Sequence, residues 1–184
     1  MAVTTEQIKE LRAATGAGIM DCRKALEQAG GDMEKAKEFL REKGLATAAK
    51  RAEREAQEGV VELYSHGNGR VGVMVEVNCE TDFVARSQAF RTFAHEVALQ
   101  IAAATPLFIK EEDIPGDVLE AQRKKSVDGQ LDKFLNEVCL LRQPYIRDDS
   151  LTVQQLLVQH IGAIGENILI RRFARWELGE STAQ

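Results

Sequence analysis

The 184 residues predict an α+β fold, in which an N-terminal three-helix domain precedes a core of helices laid over a small antiparallel sheet. Three observations carry this. Val71, Val73, Val75 and Val77 recur at every second position, the period of a half-buried strand. After a polar break, Phe83, Phe90, Phe93, Ala94, Val97, Ala98 and Ile101 fall at helical spacing. Upstream, glycines divide the first 44 residues into three short apolar-periodic stretches.

The first stretch opens at Thr4, with Gln7 completing a capping box that satisfies free N–H groups. Ile8 and Leu11 give it an apolar face, and Thr15-Gly16-Ala17-Gly18 stops it. A second helix from about Met20 carries Ala25, Leu26 and Ala29 to Gly30-Gly31. Asp32 caps a third, with Met33, Ala36, Phe39 and Leu40 facing inward and Gly44 as its end. So small a core is only marginally stable alone. Residues 45–58, rich in alanine and charge, read as an exposed connecting helix closed by Gly59.

The core then occupies residues 59–184. Val61 and Leu63 alternate into Tyr64, and Gly67-Asn68-Gly69 offers the positive φ angles of a tight hairpin into the Val71–Val77 strand. Helical spacing covers roughly residues 86–104, 115–125, 131–141 and 151–161, with breaks at Thr105-Pro106 and Pro144. Asn167–Glu177 reads as a final strand.

Between the valine strand and the following helix lies Thr81-Asp82-Phe83-Val84-Ala85, an acid and an aromatic ring side by side at a strand-to-helix junction. On spacing alone two readings stand. Asp82 caps the helix and Phe83 is its first core residue, or the ring points outward from a rigid corner and inserts into a partner.

Composition narrows the class. The net charge is −5, and acidic excess gathers after residue 58, so neither part is the basic patch that nucleic acid binding needs. No apolar run approaches the roughly 18 residues of a membrane span, and the N-terminus lacks a signal-peptide pattern. Cys22, Cys79 and Cys139 are widely spaced without a CxxC pair, which favours reduced thiols in the cytoplasm over disulfides or zinc. His66, His95 and His160 have no metal-ligand spacing. No acid, base or nucleophile motif marks an enzyme, and no cofactor is expected.

Two segments carry a family resemblance. Glu76-Val77-Asn78-Cys79-Glu80-Thr81-Asp82-Phe83-Val84-Ala85-Arg86 resembles one signature of bacterial translation elongation factor Ts, and the stretch from Leu11 to Leu26, LRAATGAGIMDCRKAL, resembles the other. Gly165-Glu166-Asn167-Ile168, running into Arg171-Arg172-Phe173, is similar to the family as well. The resemblance spans nearly the whole chain, as a short form with one core unit where longer members carry two.

It implies an N-terminal three-helix ubiquitin-associated-like domain that docks on the nucleotide domain of elongation factor Tu through Arg12, Ile19, Met20 and Arg23. Solvated charge for the arginines and core packing for Ile19 are the plain alternatives, and Arg23 departs from the lysine common there. Ubiquitin binding itself would leave the Thr81–Val84 segment without a role. The resemblance also implies that Thr81, Asp82, Phe83 and Val84 form a wedge, with Phe83 entering an apolar slot near the magnesium site of GDP-bound elongation factor Tu. The outcome would be a guanine-nucleotide exchange factor that binds the GDP-bound and nucleotide-free partner. An enzyme and a tethering module are the competing classes, and a chaperone-like stabilisation of the partner is compatible with exchange. With one core unit, a homodimer paired through strand residues Ile168–Phe173 would supply the second. The segment between Glu120 and Gln130 is shorter than in many relatives, so contacts made through a protrusion there are not expected.

Overall fold

The computed structural model describes residues 3–125 and 130–180; the middle of the 120–130 segment, where a reduced protrusion is expected, lies outside the described residues. Helices α1 (Thr5–Thr15), α2 (Ile19–Gln28) and α3 (Met33–Arg51) come first. Thr4 caps α1 in the expected box with Gln7, Gly16 ends it in the left-handed region, and Asp32 caps α3 by accepting from the Glu34 and Lys35 amides. Leu11, Cys22, Ala25, Leu26 and Ala36 form a small core of their own, backed by Ile8, Met33 and Leu40. Phe39 does not join it: the ring is exposed.

The expected stop at Gly44 and the separate helix over 45–58 are both corrected. Helix α3 runs through Gly44 to Arg51, and residues 52–57 are turn and extended chain leading into the sheet. The reason is packing against α8 (Val153–Ile164). A Cβ on Gly44 would lie 3.1 Å from Val158 Cγ1, so glycine lets the two helix backbones close up. Arg51 adds a guanidinium N–H donated to the Ile161 carbonyl at 3.1 Å, in the last turn of α8. Nor does Gly59 close a helix; it sits in strand β1 (Glu58–His66) at φ +147°, where a Cβ would lie 2.1 Å from the Val77 carbonyl oxygen.

Strand β1 pairs antiparallel with β2 (Val71–Cys79), and β2 with β5 (Ile168–Glu177), giving the order β1-β2-β5. Gly67, Asn68 and Gly69 take positive φ in the hairpin turn, as expected. One sheet face is covered by α5 (Gln88–Ala104) and α8, which bury Phe90, Phe93, Val97, Ile101, Val153 and Ile161 against Val73, Val75, Val77, Ile168 and Ile170. Val61 and Leu63 lie on the opposite, open face with Met74 and Trp176, all exposed.

The β2–β5 ladder slips between Glu76 and Val77, which pair with Arg172 and Ile170 and leave Arg171 as the extra residue of a bulge. Both arginines therefore reach one carboxylate: Arg172 Nε lies 2.7 Å and Arg171 Nε 3.6 Å from Glu76. The Arg172 hydrogen bond, helped by Asn78 and Arg171, holds the Glu76 carboxyl below the usual range against the opposing effect of burial.

Between α5 and α8 the chain forms α6 (Gly116–Lys125) and α7 (Gln130–Val138), then the short pair β3 (Pro144–Tyr145) and β4 (Asp148–Thr152), which the sequence does not predict. Buried Gln100 serves this region. Its amide donates to the Pro144 carbonyl at 3.1 Å, and its oxygen accepts from the Ile146 amide at 2.9 Å.

Candidate functional site

At the end of β2 the chain turns through Glu80 and Thr81 into a single helical turn, α4 (Asp82–Ala85), then restarts as α5 after Ser87. Helical spacing alone fuses these two pieces. The first turn is capped by Thr81, not Asp82: the Thr81 hydroxyl accepts from the Val84 amide at 3.3 Å. Asp82 instead forms an ion pair with Arg86 at 3.0 Å, and its side chain stays exposed. Ala85 is buried and Val84 packs partly on the core, so the turn is anchored on one side. Phe83 points the other way and is 82% exposed, the highest value among the large apolar side chains of the described residues. Of the two readings left open by the sequence, the outward ring is the one observed.

The corner is held from outside its own stretch of chain. Glu166, just past the Gly165 cap of α8, accepts from the amides of Glu80 at 3.1 Å and Thr81 at 3.0 Å through Oε2, and from the Thr81 hydroxyl at 2.6 Å through Oε1. Glu80 returns the contact: its Oε1 accepts from the Asn167 amide at 2.6 Å, and its Oε2 faces Arg54 at 3.4 Å. The Asn167 side chain donates to the Arg54 carbonyl at 2.8 Å. Nothing in the local sequence marks this cluster except the Gly165–Ile168 motif, whose spacing does not say what it meets. Cys79 donates its thiol to the Thr81 carbonyl at 3.2 Å, and burial, with the Glu166 charge second, pushes that thiol up to about 11.

The N-terminal residues lie apart from this corner. Ile19 and Met20 begin α2 and are both more than half exposed, so Ile19 is not a core residue. Arg23, one turn further along α2, pairs with Glu27 at 2.8 Å, and Arg12 is exposed in the last turn of α1. The fold thus presents two exposed groups on separate units, joined by α3.

Among the described residues no cluster of three or more His, Cys, Asp or Glu side chains could hold a metal ion. No described helix is long and apolar enough to cross a membrane. What the fold defines is a braced corner on which a ring and a carboxylate are displayed.

Comparison with known proteins places the chain in a family. Residues 4–180 match the family model described as Elongation factor TS. Elongation factor Ts of Carboxydothermus hydrogenoformans is 54% identical over 199 residues, covering 99% of this chain and 92% of that protein. Those of Desulforamulus reducens and Caldanaerobacter subterraneus are 52% and 53% identical over 195 residues, covering 97% of this chain and 90% and 98% of theirs. The chain therefore belongs to the elongation factor Ts family, and it shares the short form with these relatives. Membership implies nucleotide exchange on elongation factor Tu during translation elongation.

Proposed function

We propose that this protein accelerates GDP release from elongation factor Tu in the cytoplasm by inserting Phe83 beside the partner's magnesium site. The observation that carries the reading is the exposure of Phe83 on a turn whose inner side is anchored in the core. Burying such a ring is worth about 1.5–3 kcal/mol. Asp82 meets polar groups beside the slot, Thr81 and Val84 set the shape of the corner, and the magnesium ligands and phosphate loop lose their hold.

A nucleotide held at nanomolar affinity with an on-rate of about 10⁶ M⁻¹s⁻¹ leaves at about 10⁻³ s⁻¹. Weakening it by roughly 4 kcal/mol speeds release about a thousandfold at constant on-rate. Linkage requires nucleotide to weaken the factor's binding equally, so GTP can follow GDP and the factor is released unchanged.

In this reading the first three helices form a ubiquitin-associated-like domain, and Arg12, Ile19, Met20 and Arg23 dock it on the nucleotide domain. Exposed Ile19 and Met20 support the apolar part of that contact. The test is stopped-flow release of fluorescent GDP from elongation factor Tu with the wild type and with Asp82→Ala/Phe83→Ala. Substoichiometric acceleration that the double variant loses supports exchange by the wedge. Acceleration retained by the variant moves the work elsewhere, and none at all favours a binding-only role.

A homodimer also belongs to this reading, with one adjustment. The Ile168–Phe173 part of the β5 edge carries the Arg171 bulge and two arginines, features that oppose strand pairing. The open sheet face, with Val61, Leu63, Met74 and Trp176, offers the better apolar contact for a second copy. A solution mass of one chain by light scattering would refute the dimer.

A further inference from the structure

We propose that Glu166 and Glu80 form a reciprocal clamp that holds the Phe83 corner in the geometry needed for exchange, which makes Glu166 a positioning residue for the wedge. The inference rests on the exchange reading above but concerns residues to which that reading gives no part.

Glu166 lies 85 residues from Thr81 along the chain, yet three donors of the corner converge on its carboxylate. Two are the backbone amides of Glu80 and Thr81, at the point where β2 has ended and α4 has not begun. Neither strand pairing nor helix bonding satisfies donors at such a junction, so a fixed acceptor decides the path of the chain there. The third donor is the Thr81 hydroxyl. By giving its proton to Glu166 Oε1, the hydroxyl turns a lone pair toward the Val84 amide and serves as the cap of α4.

A four-residue helical turn has almost no stability of its own. Its direction, and with it the direction of Phe83, is therefore set by the cap and by the anchor at Ala85. Glu80 closes the loop by accepting from the Asn167 amide, so each strand end grips the backbone beside the other's carboxylate. Arg54 lies against Glu80 and partly offsets two like charges placed together. Gly165, at φ +90°, lets α8 end where Glu166 can turn toward the corner.

The consequence for function is specific. A loosened corner still offers a phenylalanine, so the partner is still met, but the ring no longer arrives in one orientation. Glu166→Ala should lower the maximal rate of GDP release about ten- to a hundredfold, while the factor concentration giving half-maximal release changes less than about threefold. Glu166→Gln, which keeps an acceptor for the amides but loses the second anionic oxygen facing the hydroxyl, should fall between Glu166→Ala and wild type. In a Phe83→Ala background, Glu166→Ala should cost less than a further twofold or so, because the two changes act through one group.

The experiment is this double-mutant cycle in stopped-flow GDP release from elongation factor Tu, paired with amide hydrogen exchange of each free protein by NMR. The expected result is faster exchange in Glu166→Ala at the Glu80, Thr81 and Val84 amides, with protection kept in β2 and α5. Wild-type protection at the corner together with a wild-type maximal rate would overturn the clamp. So would protection lost across the whole core, which would make Glu166 a general stabiliser, or full additivity with Phe83→Ala. If Phe83→Ala alone leaves release unchanged, the wedge reading has failed, while the hydrogen exchange still decides whether the clamp exists.

Discussion

Replacing Gly44 by alanine sets two effects of opposite sign against each other. Inside a helix, alanine is favoured over glycine by about 1 kcal/mol. The added methyl, however, lies 3.1 Å from Val158 Cγ1, well inside the usual carbon–carbon contact distance of about 3.5–4.0 Å. Val158 is buried in α8 and β-branched, so a single rotamer dominates and the side chain cannot swing clear. Relief must come from parting α3 and α8 by a few tenths of an ångström, and overpacking of this kind costs about 1–3 kcal/mol when nothing yields. Val158 is the one residue within 4 Å of that methyl, so the cost falls at the low end. Gly44→Ala is therefore expected within about 0.5 kcal/mol of wild type. In a Val158→Ala background the crowding is gone, and the same change should stabilise by about 1 kcal/mol, or roughly 2–4 °C in Tm for a chain this long. Urea and thermal unfolding of the four proteins in the cycle measure the difference. A full gain of about 1 kcal/mol in both backgrounds would refute the close approach of α3 and α8 at this point.

The remaining predictions concern the core. Burial holds the His160 imidazole, tilted against Phe93 at 4.6 Å, below its ordinary value of 6.5. Because the folded state disfavours the charged ring, stability from this group is intact above about pH 6.5, is lost as the unfolded chain protonates below it, and levels off below the folded value. Tm measured between pH 7.5 and 5 should fall less steeply in His160→Phe than in wild type, and equal slopes would contradict this. Gly59→Ala should destabilise by about 3 kcal/mol or more, or prevent folding, since its Cβ would meet the Val77 carbonyl and its φ suits glycine alone; a stable variant by urea titration would show that the strand approach is not as described. Cys22, Cys79 and Cys139 are all buried, and burial raises each thiol. A thiol reagent should modify none of them rapidly in the native protein and all of them in denaturant, and fast labelling of a native thiol would count against the packing at that site.

Local signals were legible where one stretch of chain decides its own structure. The capping residues Thr4 and Asp32, the Gly67–Gly69 turn and the valine alternation all lie where expected. What escaped depends on distant partners. Gly44 reads as a helix stop because its intrinsic cost is about 1 kcal/mol, and docking on α8 outweighs that. Val61 and Leu63 mark a strand but not which side of it faces the helices; Glu62 points to the helix side and meets His95 at 2.9 Å, while the apolar pair faces outward. The β3–β4 pair, with Pro144 and Asp148-Asp149, has little strand propensity and leans on Gln100 and Gln143. At the candidate corner, Asp82 and Phe83 stood out as a pair, but the Glu166 brace arises from tertiary placement that no spacing rule contains.

Helix α3 links both hydrophobic units without a break, its first half in the small N-terminal core and its second half against α8. Nineteen residues of helix make a bar about 28 Å long. A flexible tether would let the two ends of the molecule search independently and would lose entropy each time both were engaged. Docked on α8 over its second half, the bar holds the N-terminal unit at one distance and bearing from the core, so in the proposed two-site docking a partner that has met one unit is offered the other in a fixed place. Under that proposal the helix acts as a gauge: a partner whose two surfaces match the spacing gains a high effective concentration at the second contact, and one that does not match gains none.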